Sequence, residues 1–324
     1  MFNYSLNYDR ENNKNYTKYQ FIIFTIMKVL VSFSGGKDSQ ACLIRACEDF
    51  KASNVTAVFC DTGWEHELTY RHVQEVASAL GVELVVLKSP RFPLQNLCKE
   101  MKWFPDSMNR MCTVLLKIMP MIDYVLTIDD NVVIIQGIRA AESQSRSKLS
   151  CSANYFAEYL ADDSAKKRLY RKIDVKEWCG HHTATVERPM FGESAQGVID
   201  YILQHGQQPN PLYRRGFSRV GCFPCIFARL SDIKAMRHFP DYVQRVIELE
   251  KEVNDIRQRE GKGGKFASFL PVGKIPARFC TSYGEGVPAF EDVIRYVSRD
   301  DAQLDMFDDD NAVSCMSVYH GLCE

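Results

Sequence analysis

The chain has 324 residues, 46% of them hydrophobic and 25% charged, with 40 lysines and arginines against 41 aspartates and glutamates. That is enough apolar chain for one large domain or two smaller ones. A formal net charge of −1 excludes a global basic field, so any nucleic-acid contact would need a local patch.

Residues 1–26 are rich in Asn, Tyr and Lys without helical or strand period and read as a loose tail, with Met27 as the expected start of the functional chain. Phe21 to Phe33 is the strongest apolar stretch near the N-terminus, but Lys28 interrupts it and it is too short to span a bilayer, so no membrane association is expected. Lys28 to Phe33 reads as a strand, and Gln40 to Cys47 as the start of a helix. Val55 to Cys60 is a second strand, Leu68 to Leu80 an amphipathic helix stopped by Gly81, and Val82 to Leu87 a third strand. Cys112 to Leu126 has a helical pattern despite Pro120, and Val132 to Gln136 reads as a buried strand. Residues 150–187 show poor periodicity and read as a charged insertion with a hairpin; Ser194 to Gly206 and Asp241 to Arg259 are helical. The β-α-β alternation predicts an α/β domain with a doubly wound parallel sheet and its ligand at the carboxyl ends of the strands. The expected organisation is a nucleotide-binding domain over 27–230 and a mostly helical, cysteine-bearing region over 231–324.

Between the first strand and first helix lie Ser34, Gly35, Gly36, Lys37, Asp38 and Ser39. Paired glycines let the backbone approach a ligand and take positive φ, and the open NH groups and dipole at a helix start favour an anion. Ser34 and Ser39 add hydroxyls and Lys37 adds charge. Asp38 beside a phosphate calls for a bridging positive charge, which points to Mg²⁺. The spacing is not that of the GxxxxGK[ST] loop. It resembles the SGGxDS loop of the ATP pyrophosphatases, which implies ATP as the ligand.

Gly137-Ile138-Arg139 ends the fourth strand, and Arg146 follows seven residues after Arg139. Two guanidinium groups there suit a bidentate grip on phosphate or sulfate oxygens. The run from Gly137 to Arg146 resembles a segment of the phosphoadenosine phosphosulfate reductase family. So do Asp61-Thr62-Gly63-Trp64, Arg110-Met111-Cys112-Thr113 with Lys117, Arg188-Pro189-Met190 and Asn210-Pro211-Leu212-Tyr213. The resemblance implies an adenine nucleotide alpha hydrolase (HUP-like) fold. It places Ser34 to Ser39 on phosphate, Asp61, Thr62 and Gly137 beside the nucleotide, Lys117 as a further cation, and Lys37, Asp38, Arg139 and Arg146 as catalytic groups. The implied activities are cleavage of ATP to pyrophosphate and an adenylate, on sulfate or another anionic acceptor, in sulfur metabolism or nucleic-acid thiolation. Reduction of a sulfonucleotide with an external thiol donor, and action only with a partner subunit, are the alternatives. The intact loop favours ATP. The reductases' C-terminal Glu-Cys-Gly-x-His is missing, the chain ending Gly321-Leu322-Cys323-Glu324, and Glu177 to His181 matches it only superficially.

Twelve cysteines without the spacing of a disulfide scaffold fit a reducing cytoplasm and a metal or cluster site. Cys222 and Cys225 form a CxxC turn suited to zinc, an iron-sulfur cluster or a redox disulfide. Family resemblance favours a [4Fe-4S] cluster over zinc, with Cys222, Cys225, Cys315 and Cys323 as ligands and Cys112 as substitute. Gln303-Leu304-Asp305-Met306-Phe307 resembles the peptide that docks replication proteins on the sliding clamp, although Leu304 and Phe307 also read as packing residues. The basic runs Lys166-Lys167-Arg168 and Arg214-Arg215 with Arg219 read as solvated faces or phosphate contacts.

Overall fold

A computed structural model of the chain describes residues 27–144, 146–161, 169–261, 264–284 and 286–299. Six strands form one sheet: β1 (Lys28–Ser32), β2 (Val55–Asp61), β3 (Glu83–Lys88), β4 (Val132–Gln136), β5 (Ser152–Asn154) and β6 (Ala184–Glu187). Their spatial order is β3-β2-β1-β4-β6-β5, all neighbours parallel except the β5–β6 edge pair. The chain therefore winds outward from β1 to β3, then crosses back to place β4 on the other side of β1. That reversal makes the β1/β4 carboxyl ends the topological switch point, where a doubly wound sheet leaves a crevice.

Alternation within the strands gives the sheet two buried faces. Val29, Val31 and Phe33 with Val133 and Ile135 pack under α1 (Lys37–Phe50), α2 (Glu67–Leu80) and the later helix Ala195–Gln204. Leu30, Ile134 and Val132 pack on the opposite face. α3 (Leu94–Met101) lies elsewhere, its Leu94 and Leu97 packing with Trp64 and Phe104; α4 (Met111–Thr113), a π turn at Val114–Ile118 and α5 (Met119–Leu126) meet this face, through Ile118, Met121 and Val125. Pro120 sits in the first turn of α5, where its missing NH leaves no helical bond unmade. β4 is buried along its whole length, so truncating Ile134 to Ala would cost about 2–5 kcal/mol.

Poor periodicity over 150–187 points to an insertion, but the structure builds the sheet's far edge from it. This segment supplies β5, β6, α6 (Tyr155–Ala161) and α7 (Lys172–His181). Edge position explains the weak pattern: β5 is only half covered, and α7 buries just Val175 and Trp178. Cys179 lies on α7, exposed. The chain continues through α8 (Ala195–Gln204), α9 (Leu230–Met236), α10 (Pro240–Arg259) and α11 (Phe290–Val297). The core of this last region is shared with the preceding part of the chain, because Trp64, Leu97, Phe104 and Leu116 join Val246, Val253, Phe269 and Phe290. Buried Glu250 ties it together, accepting hydrogen bonds from the amides of Phe269 at 2.6 Å and Phe290 at 2.8 Å. No helix among the described residues is long and apolar enough to cross a membrane.

Candidate nucleotide-binding site

The loop after β1 turns into α1 through Gly35, whose φ of +80° lies in the left-handed region. A Cβ there would stand 2.9 Å from Thr69 Cγ2, so both conformation and space require glycine. Ser39 closes the loop: its hydroxyl donates to the Gly36 carbonyl at 3.0 Å and accepts from the Ser34 amide at 3.2 Å. Helix α1 starts at Lys37 with Gly36 as N-cap and no side-chain cap, leaving the positive end of its dipole facing the crevice. Gly137, just past β4, presses on this same turn, for a Cβ added to it would lie 2.4 Å from the Ser39 nitrogen. Ser34, Ser39, Gly137 and Lys117 line one pocket with Glu65 and Gly221. The π turn carries Lys117 to that wall, and Cys60 Sγ holds the turn by donating to the Lys117 carbonyl at 3.6 Å.

Asp38 is buried, and both its oxygens face cations: Lys37 Nζ lies 2.6 Å from Oδ2 and Arg139 Nε 2.5 Å from Oδ1. Cations of this chain thus flank the carboxylate from which the Mg²⁺ expectation arose. Glu142 binds the two arginines, accepting from the Arg139 amide at 3.1 Å and pairing with the Arg146 guanidinium. Arg146 is 1% exposed. Arg139 thus pairs with Asp38 of the loop and with Glu142, while Arg146 pairs with Glu142.

Asp61 and Thr62 stand at the end of β2, and their polar atoms build the turn. Asp61 Oδ1 accepts from the Gly63 amide at 2.8 Å and from the Tyr70 hydroxyl at 2.7 Å, while Thr62 Oγ1 donates to Glu65 Oε1 at 2.6 Å. Burial, the charge of Glu65 and the bond to Asp61 push the Tyr70 phenol well above its usual range. Glu65 is the hub that sequence reasoning missed: it lines the pocket, and Cys222 Sγ donates to it at 3.9 Å. A β-bridge pairs Glu65 with Cys222, and Phe223 N donates to Trp64 O at 2.7 Å. The CxxC turn is therefore fixed against the crevice wall. Burial, opposed by Lys117 and reinforced by Glu65, pushes the Cys222 thiol up to about 12. The ten described cysteines are free thiols. Among the described residues no three His, Cys, Asp or Glu side chains are gathered to hold a metal ion, Cys112 with the CxxC pair included. Cys315, Cys323 and the segment Gln303 to Phe307 lie outside the described residues.

Asn210 and Tyr213 clasp the loop from above. Asn210 Nδ2 donates to the Gly35 carbonyl and to Thr69 Oγ1, both at 3.2 Å, and the Tyr213 hydroxyl accepts from the Lys37 amide at 3.0 Å. These contacts give Asn210-Pro211-Leu212-Tyr213 a role that the motif alone did not specify. Ser32 also went unnoticed; its hydroxyl lines the pocket, buried and without a protein partner. Its place two residues before Ser34, at the end of a strand feeding the loop, was the available signal.

A glycine-tight loop at a helix start, seated at the switch point of a doubly wound sheet, defines a nucleotide-binding α/β protein. The phosphoadenosine phosphosulfate reductase domain model matches residues 28–228. The chain belongs to that family. A 37.8 kDa protein of Escherichia phage 186 is 29% identical over 351 aligned residues, covering 91% of this chain and 96% of the relative. A Methanocaldococcus jannaschii protein is 29% identical over 216 residues, and the chain spans only 39% of its length. Among solved structures, the phosphoadenylyl-sulfate reductase of Candida auris in a phosphate complex is 18% identical, over 64% of this chain and 86% of that one, with a TM-score of 0.41. FMN adenylyltransferase of Candida glabrata, with FAD and pyrophosphate, is 14% identical over 63% of this chain and 59% of that one, also with a TM-score of 0.41.

Proposed function

We propose that this chain binds ATP in the crevice and cleaves it between the α and β phosphates, releasing pyrophosphate and leaving an adenylate on an anionic acceptor. The observation that carries the reading is the intact loop, with Lys37 and Asp38 in place at the start of α1. Lys37 leaves Asp38 for the β and γ phosphates and offsets the charge that develops on departing pyrophosphate; the α1 amides and Lys117 add to the same field. Asp38 is the residue that would face Mg²⁺, which when bound supplies further neutralisation of the phosphates. Arg139 holds Asp38 in register with the loop, and Arg146 fixes Glu142 and through it Arg139. No general base is required for an acceptor that is already an oxyanion.

Cys222 and Cys225 supply two of the four thiolates of a [4Fe-4S] cluster in this proposal, Cys315 and Cys323 the others, in a reducing cytoplasm. The family's own name supports a second reading, reduction of a sulfonucleotide to sulfite by an external thiol. Assays of pyrophosphate release from ATP and of sulfite release from the sulfonucleotide separate the two. The first reading expects pyrophosphate that disappears in Lys37→Ala; pyrophosphate undiminished by that substitution, or sulfite alone, overturns it. If the pure chain does neither and a co-purifying chain restores activity, it is a subunit.

A further inference from the structure

We propose that Arg214, Arg215, Lys234 and Arg237 form a docking rim for a nucleic-acid acceptor beside the phosphate loop. The proposal rests on reading the crevice as a nucleotide site and names the class of acceptor. Charge is segregated there in a way the balanced composition conceals. Between residues 205 and 239 the chain has six lysines and arginines and one acid, Asp232. Asp232 is buried, accepting from the Ser218 amide and hydroxyl and from the Arg229 amide. It therefore gives the surface little compensating charge.

The fold gathers these cations in one place. The Arg215 guanidinium lies 5.4 Å from the Phe239 ring centroid, and a Cβ on Gly216 would stand 3.7 Å from Ala235 Cβ. The turn over 213–216 and the end of α9 are thus one surface, on which Arg214, Arg215, Arg237 and His238 are exposed. Glu67, held by Arg71, and Asp241 mark its acidic border.

The same turn reaches the candidate reaction site. Tyr213 bonds the Lys37 amide, Arg214 bonds the Gln208 side chain, and the Gln208 carbonyl accepts from Gln40 of α1 at 3.1 Å. A small oxyanion such as sulfate would be held inside the crevice and would leave the outward guanidinium groups unused. A chain of phosphates entering from this side meets them in succession.

Fluorescence anisotropy of the full chain tests this with labelled mixed-sequence RNA and duplex DNA of about 30 nucleotides, and separately with a fluorescent ATP analogue. Expected is binding of one of these polymers that weakens steeply with salt and falls at least about tenfold in Arg214→Glu with Arg237→Glu, while ATP binding is kept. Lys28→Glu with Lys51→Glu reverses two exposed charges at the amino end of β1 and the far end of α1, and leaves polymer binding unchanged. Equal loss in both double variants, or no polymer binding at about 50 mM salt, overturns the rim. Failure to bind ATP with rim-dependent polymer binding intact overturns the crevice reading and not the rim.

Discussion

Gly137 lies so close to Ser39 that a Cβ on it would stand 2.4 Å from the Ser39 nitrogen and 2.7 Å from its Cα. Backbone cannot yield as a side-chain tip can, so Gly137→Ala must push α1 and the phosphate loop out of position. The expected cost is about 3 kcal/mol, with ATP affinity lost in the same variant. Gly192→Ala is the control, since nothing lies within 4 Å of a Cβ there; its denaturation midpoint should stay within about 0.5 kcal/mol of wild type. A stable Gly137→Ala that still binds ATP would contradict the packing argument.

The buried pair of Asp38 and Arg139 gives a second prediction. Arg139→Leu takes its guanidinium partner from the Asp38 carboxylate, in a site with side-chain exposures of 8% and 2% for the original pair. Urea denaturation should show a loss of about 3–5 kcal/mol. Combining it with Asp38→Asn removes the stranded charge and should recover part of that stability while pyrophosphate release stays absent. Recovery of both would mean that Asp38 has no part in the chemistry.

Acid should weaken the fold through two buried histidines. Burial, aided at His66 by the charge of Arg215, lowers His66 and His72 to about 4 from the usual 6.5. Below about pH 6.5 the unfolded chain takes up protons that the native imidazoles refuse, so stability falls from there toward pH 4 and is unaffected by these groups above that window. Each contributes at most about 1.4 kcal/mol per pH unit. Replacing His72, which meets Gln40 Oε1 at 3.1 Å, by Gln should make the urea midpoint fall less steeply between pH 6.5 and pH 4. A slope unchanged by His72→Gln would show that this imidazole is protonated in the native state.

The cysteine proposal has its own measurement. Protein purified without oxygen should carry about four irons and four sulfides per chain and a visible absorption band, both lost in Cys222→Ser and Cys225→Ser. Cys280→Ser and Cys112→Ser should retain them, since neither joins the CxxC pair as a three-ligand group among the described residues. Colourless, metal-free protein with full activity would end the cluster proposal.

Much of the site was legible because its chemistry is local. A strand, two glycines, a lysine, an aspartate and a helix start are contiguous from Lys28 to Ser39, and backbone geometry leaves that order few ways to fold. The strand pattern of β1, β2 and β4 was equally plain, because burial on both faces demands unbroken apolar runs. β5 and β6 were not, since an edge pair half covered by helices carries a weak period.

By itself the sequence determined the glycine loop between β1 and α1, the α/β alternation and the CxxC turn, all of them features encoded by neighbours along the chain. Only the tertiary structure decided that Arg139 faces Asp38, that Tyr213 lies on the Lys37 amide, and that Glu65 joins the loop's crevice to Cys222. Those partners are separated by 101, 176 and 157 positions. No propensity or spacing rule spans such distances; the return of the chain across the switch point brings them together, and the packing of Gly137 on Ser39 holds them there.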